Sequence, residues 1–272
     1  MKLIDCFMYF DEDVVLDIRL NVLNDKVDKF VIVESKMDHS GNEKKLNFDI
    51  NNFKKFKNKI EYLVVDELQV KKKMLSYSWR NEPSWLRENF QRNFLSHGYK
   101  NEDDNDCIMI SDIDEIPDPK KINLFDKKKK YACFIQRNFQ MKINLFNSTI
   151  PNWFGTRICI KKHLKSPQWL RNIKVKKKFW KFYKPKPPQL IPDSGWHFSF
   201  LKDSGQISKK IKSYAHQEYN KEMFSNINAI KERIDNNRDL LERDYIYKKI
   251  DIDETFPEYI IKNKKNLIRW IV

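Results

Sequence analysis

The chain has 272 residues, 40% of them hydrophobic and 14% aromatic, enough to bury one large core, and no apolar run approaches the ~20 residues a membrane-spanning helix requires. With only 5 glycines, and neither a G-x-G-x-x-G nor a P-loop pattern, nucleotide sites that depend on a glycine-rich loop are excluded. The net charge of +15, carried chiefly by lysines spread along the chain, favours anionic partners such as nucleotide-sugars, anionic lipid surfaces or nucleic acid.

In chain order, residues 2–9 read as a first strand, and Asp11-Glu12-Asp13 opens a helix whose apolar face holds Val15, Leu16, Leu20 and Leu23. Residues 29–34 form a second strand. Its run Phe30-Val31-Ile32-Val33 is apolar throughout, as a strand covered on both faces should be, and it ends in Glu34. This β-helix-β opening predicts a mostly parallel sheet. A polar loop at 35–41 leads through an irregular stretch to a strand at 60–65. Residues 79–97 place Trp85, Leu86, Phe90, Phe94 and Leu95 at helical spacing, with Arg87, Glu88, Gln91 and Arg92 on other faces; Gly98 caps this helix and an acidic loop follows at 102–106.

The run Cys107-Ile108-Met109-Ile110-Ser111 then ends abruptly in Asp112-Ile113-Asp114-Glu115-Ile116-Pro117. An apolar strand that stops in two carboxylates opens into a polar crevice, which is where α/β sheets bind ligands. Alternation along an extended segment points Asp112 and Asp114 the same way, able to share Mg²⁺ or Mn²⁺ against a diphosphate, while Ile113 turns into the core.

Beyond this motif, Lys127–Lys130 reads as a solvated turn, and 131–136, 140–145 and 154–160 read as consecutive strands, predicting an antiparallel second part of the sheet. The basic and aromatic stretch 174–188 reads as a surface loop. Residues 191–200 form an aromatic strand with one histidine, Ile191-Pro192-Asp193-Ser194-Gly195-Trp196-His197-Phe198-Ser199-Phe200. Residues 206–220 and 225–235 look helical, and the tail 256–272 mixes apolar residues with lysines suited to the core or to a membrane surface. Cys6, Cys107, Cys133 and Cys159 lie in apolar runs without C-x-x-C spacing and read as buried thiols in a reducing compartment. The N-terminal stretch is too short and interrupted for a signal peptide, so the expectation is a soluble, cytoplasmic protein.

Four stretches together resemble glycosyltransferase family 17, the family of the bisecting β1,4-mannosyl-glycoprotein N-acetylglucosaminyltransferase. They are Phe30-Val31-Ile32-Val33-Glu34 with His39-Ser40-Gly41, Trp85-Leu86-Arg87-Glu88-Asn89-Phe90-Gln91-Arg92, Ile110-Ser111-Asp112-Ile113-Asp114-Glu115-Ile116-Pro117, and Gly195-Trp196-His197-Phe198-Ser199-Phe200. A fifth, Ile211-Lys212-Ser213-Tyr214-Ala215-His216-Gln217-Glu218-Tyr219-Asn220, is similar to the segment that follows in that family. The resemblance runs from Met1 to about Asn220 and fits a compact bacterial or viral member acting, if viral, inside a host cell.

The resemblance implies a single GT-A-like, Rossmann-like α/β domain with a mixed, mostly parallel central sheet flanked by helices. Within it, 1–117 is expected to bind the nucleotide-sugar, 118–220 the acceptor, and 221–272 to form a helical extension. It implies an inverting transferase that uses Mn²⁺ or Mg²⁺ and moves a sugar, with N-acetylglucosamine first to test, from a UDP-linked donor to a glycan hydroxyl. Asp112, Asp114 and His197 are the expected metal ligands, Asp112 also touching the donor. Glu34, Arg87, Glu88, Arg92 and His216 are expected at the donor. Inversion needs a carboxylate base, expected at Asp193 with Glu115 as substitute. The rival reading is a nucleic-acid-binding or phosphotransfer protein that grips a backbone with its lysines and the stretch 176–184. The lysines are diffuse and no RNA-recognition signature accompanies them, so no specific nucleic acid is expected.

Overall fold

The computed structural model describes residues 1–66, 83–176, 185–214 and 216–272. Strands β1 (Leu3–Met8), β2 (Lys29–Ser35), β3 (Ile60–Val65) and β4 (Cys107–Asp112) lie side by side in the order β3-β2-β1-β4, all parallel. Their apolar runs are buried on both faces because helix α1 (Asp13–Leu23) covers one side, while α2 (Pro83–Phe94), α3 (Ser96–Tyr99) and α4 (Pro167–Asn172) cover the other. Gly98 lies within α3 rather than capping the preceding helix. A Cβ there would come within 2.3 Å of the Val31 side chain, so glycine lets α3 press onto β2.

Past β4 the sheet changes character. β5 (Glu115–Pro117) is short; β6 (Tyr131–Gln140) runs antiparallel to β8 (Asn152–Ile160), which itself runs antiparallel to β4. β7 (Leu145–Asn147) and β11 (Tyr247–Lys249) extend that edge, whereas β9 (Gln189–Ile191) and β10 (Gly195–Ser199) pair with β6 in parallel. The sheet is therefore mixed, with as many antiparallel as parallel strand pairs among the described residues, and the mostly parallel expectation holds only for the N-terminal half. The strand expected at 140–145 is a turn instead, with Met141 at φ 66, because β6 continues through Gln140.

A third core forms around α5 (Ser204–Ser213), α6 (Glu222–Ser225) and α7 (Ile227–Asp235), closed by Leu240 and Leu241. A capping box between Asp203 and Gln206 starts α5. In the tail, α8 (Glu258–Lys262) lies against α1, and Phe256, Ile260 and Leu267 join the first core, so most of the tail's apolar residues are packed rather than presented. No described helix is long and apolar enough to cross a membrane. All four cysteines are buried and free. Of the basic aromatic stretch, 177–184 lies outside the described residues, as do 79–82 of the expected first long helix.

Candidate active site

A cleft of about 430 Å³ opens at the carboxyl ends of β1, β2 and β4, within the range of small-molecule sites. Its floor is the turn between β4 and β5. Arg19, the one charge on the buried face of α1, pins that turn: its Nε and Nη2 donate to the Asp5 carboxylate at 2.8 and 2.6 Å, and Nη2 also donates to Ser111 Oγ at 2.5 Å. Nη1 donates to the carbonyls of Asp112, Ile113 and Glu115 at 3.3, 3.0 and 2.8 Å.

This pinned turn breaks the alternation expected from the sequence, since residues 113 and 114 are not extended. Ile113 does enter the core, but the two carboxylates find different partners. Asp112 accepts from Arg92 Nη2 at 3.1 Å and from Arg171 Nη2 at 2.9 Å, one guanidinium on each oxygen. Burial alone would raise its carboxyl; Arg171 and then Arg92 outweigh that and hold it well below the usual range. Asp114 faces the other way, its Oδ1 3.7 Å from His197 Nε2 and its Oδ2 3.9 Å from Lys210 Nζ. Burial pushes its carboxyl up, against the pull of His197 and Lys210.

His197 reaches this position because β10 is clamped between β5 and β6. Gly195 permits the pairing: it sits at φ +141, where a Cβ would meet the Ile116 carbonyl at 2.2 Å. The ring stacks on Trp153, centroids 4.2 Å apart and planes 8° from parallel, and its Nδ1 donates to Asn138 Oδ1 at 2.9 Å. With Nδ1 so held, Nε2 is the free donor atom facing Asp114, the arrangement that metal-binding histidines share.

The donor set fits a divalent ion at two positions only. Asp114 and His197 present one oxygen and one nitrogen to a common space, whereas both oxygens of Asp112 are engaged by arginines. Among the described residues no three His, Cys, Asp or Glu side chains form a metal-binding group. Ions of this kind commonly take their remaining ligands from substrate phosphates and water.

Of the other expected residues, Glu88, Arg92 and His216 line the cleft. Glu88 accepts from Arg92 at 2.5 Å, and His216 meets the Trp85 ring edge-on with centroids 4.8 Å apart. Arg87 instead donates to the His39 carbonyl at 3.0 Å and braces the 38–41 loop. Glu34 is fully buried, accepting from Lys44, the Asn47 and Phe48 amides and the Tyr62 hydroxyl, so it anchors the following loop and does not line the cleft.

The structure brings neither expected base to the cleft. Glu115 is fully buried, accepting from Arg171 at 2.7 and 2.9 Å and from Trp153 Nε1 at 2.8 Å, so it orients the arginine and the indole. Asp193, at φ 46, lines a separate groove with Arg137 and Trp196.

Sequence reasoning missed Arg19, Arg171, Lys210, Trp153 and Asn138. Only Arg19 left a signal, a charge at a position where the helical pattern demands an apolar residue. Arg171 is delivered by α4, which starts with Ser166 as its cap and Pro167 in its first turn. Lys210 stands between Glu12, at 3.5 Å, and Asp114; burial would lower its ammonium, but those carboxylates raise it and keep it charged.

A cleft at parallel strand ends, floored by the Asp112–Asp114 turn and walled by arginine, lysine and histidine, is the setting of an α/β enzyme site. The family model for glycosyltransferase family 17 matches residues 1–259, and the chain belongs to that family: it is a glycosyltransferase. The match continues past residue 220, so most of the C-terminal extension belongs to the family pattern as well. A search of curated proteins returns no match.

Proposed function

We propose that this chain, through a GT-A-like site, transfers a sugar with inversion from a UDP-linked donor to a glycan hydroxyl, N-acetylglucosamine being the first sugar to test. The observation that carries the reading is the meeting of Asp114, His197 and Lys210 in the cleft of a family 17 chain. The donor lies across the strand ends with its nucleotide toward His39, Trp85, Glu88 and His216, and its diphosphate over the Asp112–Asp114 turn. Asp114 and His197 would hold Mn²⁺ or Mg²⁺, which when bound neutralises diphosphate charge. Lys210 supplies a further, fixed cation where that charge grows as the leaving group departs. Asp112, already held by Arg92 and Arg171, orients those two arginines beside the donor.

A second reading is favoured by the same arginines and lysine: they carry the positive charge themselves, and Asp114, the carboxylate beside His197 and Trp153, takes the acceptor proton. One experiment separates the two. Hydrolysis of a panel of UDP- and GDP-sugars is measured with Mn²⁺, with Mg²⁺ and with EDTA. Hydrolysis of a UDP-sugar lost in EDTA supports the metal-assisted reading, and undiminished hydrolysis in EDTA selects the second. Hydrolysis of no nucleotide-sugar overturns both. The basic surface attracts the anionic donor, and binding of generic DNA or RNA at physiological salt without nucleotide-sugar hydrolysis would instead favour a nucleic-acid role.

A further inference from the structure

The side of the cleft beyond His197 is built by parts of the chain that the donor does not need. Along β6, the alternate residues Gln136, Asn138 and Gln140 present three buried amides on one face. Each fastens a different wall. Gln136 Nε2 donates to Thr156 Oγ1 at 3.3 Å, and Asn138 holds His197. Gln140 Oε1 lies against the Tyr247 hydroxyl and accepts, at 3.5 Å, from Arg243 Nη2. Asn138 and Gln140 are two residues apart, so their backbone positions are offset by about 7 Å along the strand.

Arg243 comes from the C-terminal extension and is fixed in place. Its Nε and Nη2 donate to Asp239 at 3.0 and 2.8 Å, Tyr247 donates to the same carboxylate at 2.6 Å, and the guanidinium lies 4.4 Å over the Tyr245 ring. Its Nη1 has no protein partner among the described residues, and Arg243 and Tyr245 both line the cleft. Trp153 lines the same cleft. One face of its indole is covered by His197, its Nε1 is tied to Glu115, and it remains 36% exposed, a rigid aromatic plate with its other face open. Ile150 and Asn147 complete this end. The amide of Asn147, part of an N-x-S/T pattern, is buried and caps its own turn by accepting from the Thr149 and Ile150 amides at 3.1 and 2.9 Å.

We infer that Trp153, Arg243 and Tyr245 form the acceptor subsite, and that it takes a neutral hexopyranose whose apolar face lies on Trp153 while its hydroxyls meet Arg243. This inference rests on the glycosyl-transfer reading above. The neutral class follows from the charge count: Arg243 is already matched by the buried Asp239 carboxylate, leaving spare N–H donors without spare charge, which suits hydroxyls better than a carboxylate. Aromatic faces suit the C–H faces of sugar rings for the same reason that they suit other weakly polar surfaces. The C-terminal extension is thereby part of the specificity of the enzyme.

The test uses the full chain, the nucleotide-sugar it hydrolyses best, and p-nitrophenyl hexosides and hexuronides as acceptors. The wild type is expected to transfer to at least one neutral hexoside with kcat/KM at least tenfold above that for the matching hexuronide. Arg243→Gln and Tyr245→Ser should each lower the ratio of transfer to donor hydrolysis at least tenfold, through acceptor KM, with donor KM moving less than twofold. Tyr245→Ser guards against misfolding of Arg243→Gln, because Tyr245 makes no hydrogen bond to Asp239. An unchanged ratio in both folded variants, or donor KM rising as much as acceptor KM, overturns the subsite. Preference for the hexuronide, or donor hydrolysis with transfer to no neutral hexoside, overturns the substrate class. Hydrolysis of no nucleotide-sugar at all is the separate failure of the functional reading itself.

Discussion

Asp112 and Asp114 are two residues apart, yet one is bound by two arginines and the other faces a histidine and a lysine, so their substitutions should act differently. Asp114→Asn should lower transfer by roughly 10²-fold or more, as loss of a positioned charge in a water-poor site does, with the melting temperature nearly unchanged. Asp112→Asn should lower the melting temperature, because Arg92 and Arg171 are left facing each other; equal melting temperatures for the two variants would contradict this division. His197→Ala should weaken Mn²⁺-supported turnover far more than Mg²⁺-supported turnover, since imidazole nitrogen suits the softer ion. A uniform loss with both metals would make His197 a packing residue on Trp153. The acidic pair and His197 were legible in the sequence because a short carboxylate motif and a lone histidine stand out. Arg171 and Lys210 were not, because one cation among 53 Lys and Arg residues has no local mark that says which carboxylate it will meet.

Among the elements, α1 does more than cover the sheet, since its Arg19 ties the acidic turn to β1. Arg19→Met leaves Asp5 charged and buried without a partner, which should cost roughly 3–5 kcal/mol in chemical denaturation. The double variant Asp5→Leu with Arg19→Met should recover part of that loss, and a double variant no more stable than the single would show that the turn carbonyls, not the ion pair, dominate. Strands β2 and β4 could be read directly because strands buried on both faces carry continuous apolar runs, and β1 is interrupted only by Asp5, the buried partner of Arg19. The full extent of β6 could not: the buried amides Gln136, Asn138 and Gln140 interrupt its apolar pattern, the last two at the cleft, and such a strand reads as ending early. Asp193, expected as the base, lines the separate groove for a related reason, as the sequence shows that it precedes β10 but not on which side of the sheet that segment opens.

Across the whole molecule, the start of α1 is clasped to the C-terminal part through Asp11 and Glu12, which meet Lys202, with Lys210 joining at Glu12. Burial would raise the Glu12 carboxyl, but Lys202, Lys210 and the amides of Asp11 and Phe10 bring it from 4.5 down to about 2. A depressed carboxyl contributes stability that is complete above its unfolded value and disappears as pH falls through its folded one. The wild type should therefore lose up to about 3 kcal/mol from this group between pH 4.5 and about 2, a slope that Glu12→Gln should flatten in acid denaturation monitored by circular dichroism. The same joining of distant parts governs how the protein is made. Tyr259 donates to Asp17 at 2.5 Å across 242 positions, and Ile260 and Leu267 share the core that α1 enters. During synthesis the part of that core filled by Phe256, Ile260 and Leu267 thus stays open until the tail emerges, so a ribosome-stalled chain ending before residue 256 should be captured by chaperones and cut readily by protease, whereas the released chain should resist both.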